Sequence, residues 1–266
     1  MRCLALISEP RYLFVLRYSP YMPSHRAEKI FLAASQPFAV GDHRLCFRHP
    51  SNELLCVKVN RQGKAQRLKA AAPFYKRLRS VDSFDDNQIE YRAFQQPAIV
   101  RNTPDIWRHI PRCYGWVDTD IGPGLVTDFY AGNNRDTPAM TLERYLQEFG
   151  KTPLLSLALG EFAGFLRRYL LLTKNLMPHN LLVLQDAHGQ ENSQQKEPSL
   201  RLVLVDGFGL STILPMAKYV PAFARRHVEK RLNWLDFRIA WEISDKARSW
   251  RDAEKIYTKG RGNIYA

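Results

Sequence analysis

The chain has four cysteines in 266 residues, and Cys3, Cys46, Cys56 and Cys113 form no CxxC pair and stand near no histidines at metal-ligand spacing. That scatter argues against a zinc site and against a disulfide framework. Long apolar runs are also missing. The greasiest stretch, Leu154–Leu172, is interrupted by Glu161, Arg167 and Arg168, charges that are costly at a bilayer centre. The apolar start Cys3–Ile7 is broken by Glu9 and Arg11 before an export segment can form. These absences predict a cytoplasmic protein with no transmembrane segment. Internal repeats are absent as well.

Acidic charge is in short supply. Against 39 Lys and Arg there are 26 Asp and Glu, leaving +13. The surplus is concentrated in two stretches. Arg61 to Arg79 contains Lys64, Arg67, Lys69, Lys76 and Arg77 with no acid, and the second stretch lies between Arg225 and Arg261. Such patches attract polyanions, so they select the sign of a partner rather than its identity. Nucleotide, phosphorylated sugar, anionic lipid and nucleic acid all satisfy that field, and so does a plain solvated helix face. Nucleic acid ranks last, because no groove-reading helix-turn-helix and no RNA-stacking aromatic signature accompanies the charge.

What is present is enough for a core. Hydrophobic residues make up 45% of the chain and aromatics 12%, so burial can offset chain entropy. The length suits one large domain or two small lobes. Residues 1–35 mix aromatics with Pro10, Pro20 and Pro23 and read as an N-terminal extension. From Phe38 the pattern is that of an antiparallel meander: Phe38–Val40, Arg44–Phe47 and Leu54–Val59 are short apolar runs separated by turn residues. Arg67–Leu78 permits a helix interrupted by Pro73. Gln88–Gln95 is a short helix after the cap-rich run Asp82 to Asp86. Ile110–Val117 and Gly124–Phe129 predict a hairpin turning at Gly122-Pro123.

Tyr130–Pro138, rich in Gly, Asn, Asp and Pro, reads as a hinge, so the first unit runs over 36–130 and the second over 131–266. Thr141 should cap a helix through Phe149, and Leu154–Leu172 should be a helix that is apolar all round. A loop (Thr173–Asn180), a strand (Leu181–Gln185), a polar excursion (Asp186–Ser199) and a strand (Leu200–Val205) ending at Asp206 follow. Val220–Trp250 is helical in composition, and the end around Gly260 and Gly262 should fray.

Strand with an internal lysine, short helix with a glutamate, hairpin, hinge, buried helix, loop, strand and Asp-Gly is an order of parts that resembles a protein kinase. In Leu55-Cys56-Val57-Lys58-Val59 the lysine alternates with apolar neighbours and projects to one face, as a cation gripping the α and β phosphates must. Glu90 is similar to the ion-pair partner of that lysine. The bland reading of Lys58 alone is an exposed strand lysine. Asn175-Leu176-Met177-Pro178-His179-Asn180-Leu181-Leu182-Val183, followed by Leu202-Val203-Leu204-Val205-Asp206-Gly207-Phe208-Gly209, resembles the catalytic and metal-binding loops. By that resemblance Asn180 and Asp206 offer hard oxygen ligands to Mg²⁺ beside ATP. Separately, each motif reads as an ordinary turn.

Two departures qualify the chemistry. Asn175 stands where a kinase carries the aspartate that accepts the substrate proton, and an amide has no useful basicity at neutral pH. His179 is the nearest titratable substitute, with a structural contact beside Asn180 as its alternative. Losing a general base costs roughly 10²–10⁴ in rate. The phosphate loop is reduced to Gly41, with Asp42 and His43 where glycines are common, so His43 or Arg44 would have to supply positive charge instead.

Phe47-Arg48-His49-Pro50 ahead of Lys58, with the run Ile110-Pro111-Arg112-Cys113-Tyr114-Gly115-Trp116-Val117-Asp118-Thr119-Asp120-Ile121-Gly122-Pro123-Gly124, is similar to the YrbL family of the PhoP regulatory network over about Phe38 to Leu214. In that family Pro-x-Asn-Ile/Leu-Leu and Asp-x-x-Gly take the kinase positions, as Pro178–Leu182 and Asp206–Gly209 do here. The resemblance implies an α+β, protein kinase-like two-lobed fold. Its first lobe would be an antiparallel sheet plus helix, and its second a reduced, mainly helical lobe. No long activation segment or Ala-Pro-Glu follows Asp206, which argues against a peptide substrate. Two functions follow: an ATP-dependent phosphotransferase acting on a small-molecule or envelope-related hydroxyl, or a pseudokinase that binds nucleotide, or nothing, and serves a regulatory partner.

Overall fold

Alternation of apolar and polar side chains sets up the first half of the chain. The computed structural model describes residues 29–132, 134, 135, 137–186, 199–209 and 216–264. Strands β1 (Ala39–Val40), β2 (Arg44–His49) and β3 (Asn52–Asn60) form a meander, as their short β-branched runs predict. Pro73, which has no N–H to donate, separates helices α1 (Lys64–Ala71) and α2 (Phe74–Arg77). Helix α3 (Asp86–Ala93) starts where the Asp85 carboxylate accepts from the Gln88 N–H at 2.8 Å. The short α4 (Pro97–Val100) then leads to β4 (Cys113–Thr119) and β5 (Gly122–Asp128).

The five strands form one antiparallel sheet in the order β1-β2-β3-β5-β4. The β4–β5 turn falls at Asp120–Ile121, not at the expected Gly122-Pro123. Thr119 pairs with Gly122 and donates its hydroxyl to the Gly122 carbonyl at 2.5 Å, closing the loop two residues early. Gly122, at φ +121°, takes a conformation that only glycine enters freely.

The second half is mainly helical. Thr141 caps α5 (Leu142–Phe149) through a 3.3 Å bond from the Arg144 N–H, and Thr152 caps α6 (Pro153–Tyr169) from Leu155 at 3.1 Å. Helix α6 buries one face, Leu155, Ala158, Phe162, Phe165 and Leu166, and exposes Leu157, so the expectation of all-round burial is corrected. It packs on one side only, against the hairpin β6 (Leu181–Asp186) and β7 (Ser199–Leu204) and the later helices.

Helices α7 (Met216–Tyr219), α8 (Pro221–Glu242) and α9 (Trp250–Ile264) complete the chain. The helix expected over Val220–Trp250 ends at Glu242. Beyond it the Ser244 and Asp245 side chains accept from the backbone N–H groups of Lys246 (3.3 Å) and Ala247 (3.1 Å), a local pairing that competes with helix. Helix α9 in turn runs through Gly260 and Gly262, where fraying was expected. Residues 1–28 of the expected extension and 187–198 of the polar excursion lie outside the described residues.

Two apolar cores result. One face of the sheet buries Phe47, Val57, Val59 and Val126 beneath Ile30 and Leu32, so the segment just ahead of β1 is a lid on the sheet. It is held by the Asp120 carboxylate, which accepts from the Leu32 N–H at 2.6 Å. The larger core joins α3–α4 residues such as Phe94 and Ile99 to α5, α6, β6, β7 and α8. The fold is therefore a mixed α and β one, with an antiparallel sheet and several helices. Among the described residues no helix is long and apolar enough to cross a membrane.

Candidate functional site

Register puts the charged side chains on the other face of the sheet. Cys46 pairs with Lys58 and Phe47 with Val57, so Arg44, Cys46, Cys56 and Lys58 project away from the apolar lid. A slip of one residue would carry Lys58 into that apolar core. Helix α3 covers the charged face. There the Lys58 ammonium lies 2.6 Å from Glu90 Oε1 and donates to the Val205 carbonyl at 2.7 Å.

Arg44 completes the arrangement. One guanidinium nitrogen contacts Glu90 Oε2, and the other lies 2.5 Å from Asp206 Oδ2. The same group donates to Asn87 Oδ1 at 3.2 Å, while the Asn87 amide donates to the Lys58 carbonyl at 2.7 Å. Two cations and two carboxylates thus balance. Lys58, Arg44 and Glu90 are buried, whereas the Asp206 side chain keeps 47% of its surface open.

The electrostatics follow from that geometry. Burial alone would push the Asp206 carboxyl up, but the charges of Arg44 and Lys58 and the bonds from Arg44 and the Gly207 N–H bring it down to about 2. Burial likewise opposes the Lys58 charge, and Glu90 overcomes it and holds the ammonium above its ordinary value. Buried ion pairs add little net stability once desolvation is counted, so three buried charges grouped with a half-open carboxylate are weak evidence for fold stability and mark a candidate site.

A cavity of ≈ 610 Å³ opens beside the quartet. All of Gly41, Glu90, Asn175, His179, Asn180 and Asp206 line it. Arg44 lines it as well, whereas Lys58 does not and is tied to it through its pairing with Glu90. Asn180 is buried and donates its amide to the Asn175 carbonyl at 2.9 Å, which leaves Oδ1 as the end that can accept a ligand. Asn175 and His179 are exposed at the rim. Gly41 sits in the β1–β2 turn with its N–H on the Arg44 carbonyl at 2.9 Å, and a Cβ there would meet nothing closer than 3.5 Å.

The loops are locked by Gly207. Its carbonyl accepts from the Lys174 N–H (2.7 Å) and the Asn175 N–H (3.1 Å), and its φ is +83°. A Cβ at this position would fall 2.2 Å from the Asn175 carbonyl oxygen. Phe208 packs on Phe94 at 5.1 Å between centroids, and the buried Gln96 side chain accepts from the Leu172 N–H at 2.7 Å. Helix α3, which bears Glu90, is thereby fixed to the loops bearing Asn180 and Asp206.

The profile described as "PhoP regulatory network protein YrbL" matches residues 30–238, a span that holds every residue of this cleft. The chain belongs to that family. The uncharacterized protein YrbL of Escherichia coli (strain K12) is 27% identical over 194 residues, covering 71% of this chain and 78% of that protein. Its counterpart in Shigella flexneri gives the same values.

Within this YrbL-family chain, sequence reasoning missed Asn87, Gln96 and the lock at Gly207. Asn87 stands three residues before Glu90, a spacing that puts both on one helix face and could have flagged it. Nothing in the spacing around Arg44 signals its bridge to the two carboxylates Glu90 and Asp206, which lie 46 and 162 residues further on. Among the described residues no cluster of three or more His, Cys, Asp or Glu is placed to hold a metal.

Proposed function

We propose that the chain is a nucleotide-binding protein of kinase-like, two-lobed architecture whose cleft takes ATP with Mg²⁺. The observation that carries this reading is the convergence of Glu90, Asn180 and Asp206 on one cavity from three separate elements, with Lys58 paired to Glu90 at 2.6 Å. The donor set fits the metal. Asn180 and Asp206 offer two hard oxygens, and Mg²⁺ is commonly held by one or two protein oxygens together with phosphates and water. When bound, Mg²⁺ would neutralise phosphate charge.

The chain's own residues supply the rest. Lys58, kept charged by Glu90, places a cation on a rigid strand, where positioning phosphates costs little entropy. Arg44 pairs with Asp206 and lowers its carboxyl, and it must release that carboxylate for Asp206 to serve a metal. Its guanidinium is then available to the phosphates that a reduced glycine loop leaves without backbone donors. The function is phosphoryl transfer from ATP to the hydroxyl of a small or envelope-related molecule.

A second reading is favoured by Asn175. Its side chain stands exposed at the rim where a proton acceptor would be required, and an amide cannot accept the proton. On that reading the protein is a pseudokinase that binds nucleotide and serves a regulatory or scaffolding role.

Thermal unfolding with ATP and Mg²⁺, on the wild type and on Asp206→Asn, tests the shared claim. Ligand at about 100 times its Kd adds roughly 2.7 kcal/mol, a rise of about 5–10 °C for a chain of this size. The wild type should show the rise, and the variant should lose the part that depends on Mg²⁺. No rise in the wild type removes nucleotide binding.

A further inference from the structure

The connector between β3 and α3 carries chemistry that the cleft does not use. Over Arg61–Arg79 it holds seven cations, Arg61, Lys64, Arg67, Lys69, Lys76, Arg77 and Arg79, and no acid. Among the described residues none of them pairs with a carboxylate, and Arg67 and Arg77 donate instead to the backbone carbonyls of Gln62 and Ala72. Neither α1 nor α2 buries a side chain. The apolar residues of α2 and of its C-cap point outward: Phe74 is 77% exposed, Tyr75 57% and Leu78 77%. Positions 74, 75 and 78 fall within about a third of a helical turn's circumference, so they form one outward face. Lys76 leans over the Tyr75 ring at 5.9 Å.

A solvated helix face would not put Phe, Tyr and Leu outward together, and large exposed apolar groups rimmed by polar ones mark interaction sites. We propose that this connector docks on an anionic phospholipid bilayer, with Phe74, Tyr75 and Leu78 entering the headgroup–acyl boundary and the surrounding lysines and arginines meeting lipid phosphates. Charge complementarity selects the anionic surface, and apolar side chains flanked by basic ones are how interfacial helices bind it. Leu78 separates lipid from nucleic acid, since it has no ring on which a base can stack. The segment lies between the strand of Lys58 and the helix of Glu90, yet it forms no part of the nucleotide cleft. The proposal therefore stands apart from the one above.

Co-sedimentation of the full chain with vesicles tests it. Binding is expected to vesicles mixing phosphatidylcholine and phosphatidylglycerol and not to phosphatidylcholine alone, and added salt should weaken it. Phe74→Ser combined with Leu78→Ser should lower affinity at least about tenfold. Each of Lys76→Gln and Arg77→Gln should lower it about fivefold. All four side chains are outside the core, so Lys76→Gln and the Phe74→Ser/Leu78→Ser variant should keep the wild-type melting temperature, while Arg77→Gln gives up only its bond to the Ala72 carbonyl. Three results would overturn the proposal: no binding of wild type to the mixed vesicles, binding unchanged in the Phe74→Ser/Leu78→Ser variant, or binding of single-stranded RNA without binding of vesicles.

Discussion

Arg44 and Asp206 meet at 2.5 Å across the cleft, joining the second strand of the sheet to the loop that follows β7. The contact offsets the upward push of burial on the Asp206 carboxyl. Arg44 lines the cavity and Lys58 does not, so the cleft presents Arg44 rather than Lys58 to an arriving ligand.

Acid response is the first consequence. The Asp206 carboxyl lies at about 2 in the fold, below its ordinary 3.8, so the pair's stabilisation is complete above about pH 4 and is lost as pH falls toward 2. Water reaching the half-open carboxylate screens part of that effect. Arg44→Gln should cost about 2 kcal/mol at pH 7, chiefly through the lost charged bond to Glu90, and should flatten the decline between pH 4 and 2. Urea unfolding at pH 7 and pH 3 reads both. Parallel losses in wild type and variant would refute the assigned role of Arg44.

Gly207→Ala tests the lock between the loops. A left-handed conformation costs an L-residue about 1–2 kcal/mol, and the new methyl would press on the Asn175 backbone for a further 1–3 kcal/mol. A total loss of about 2–5 kcal/mol is expected in chemical denaturation, with weaker ATP binding in parallel if the cleft takes nucleotide as proposed. Gly41→Ala, at a turn with room for a methyl, is the control and should leave stability within about 0.5 kcal/mol.

Asn175→Asp separates the two functional readings. The side chain is exposed at the rim, so the carboxylate can enter without repacking. If the cleft transfers phosphoryl groups, ADP formation should rise by up to roughly 10²–10⁴. Equal zero rates in a variant that still binds ATP would discard phosphotransfer and keep the pseudokinase reading.

The strand cysteines should differ sharply in reactivity. A hydrogen bond from Cys56, together with the charges of Lys58 and Arg44, brings the Cys46 thiol down to about 7 against the opposing effect of burial. That same bond and burial push Cys56 up, and burial takes Cys113 to about 11. In a Cys3→Ser background, iodoacetamide at pH 7.5 should label Cys46 first, and Lys58→Met should slow that labelling. Peptide mapping that found Cys56 or Cys113 labelled first would contradict this order.

Much of this arrangement was legible in the chain because it is local. Caps at Asp85 and Thr141, the break at Pro73 and the alternation around Lys58 each depend on neighbours within a few residues, and the elements follow them. Helix α6 was misread because apolar composition along a segment does not say how many of its sides find a partner. The α8–α9 break was missed because two short polar side chains, Ser244 and Asp245, decided it against an otherwise helical composition.

By itself the sequence determined most of the order of elements and singled out Lys58, Glu90, Asn180 and Asp206. Tertiary structure alone decided that Arg44 bridges Glu90 to Asp206, that Asn87 ties α3 to the Lys58 strand, and that Gly207 allows the two loops to touch. Each of these links joins segments far apart in the chain. Their geometry depends on strand register and on how α3 docks against the loops, which no local spacing encodes.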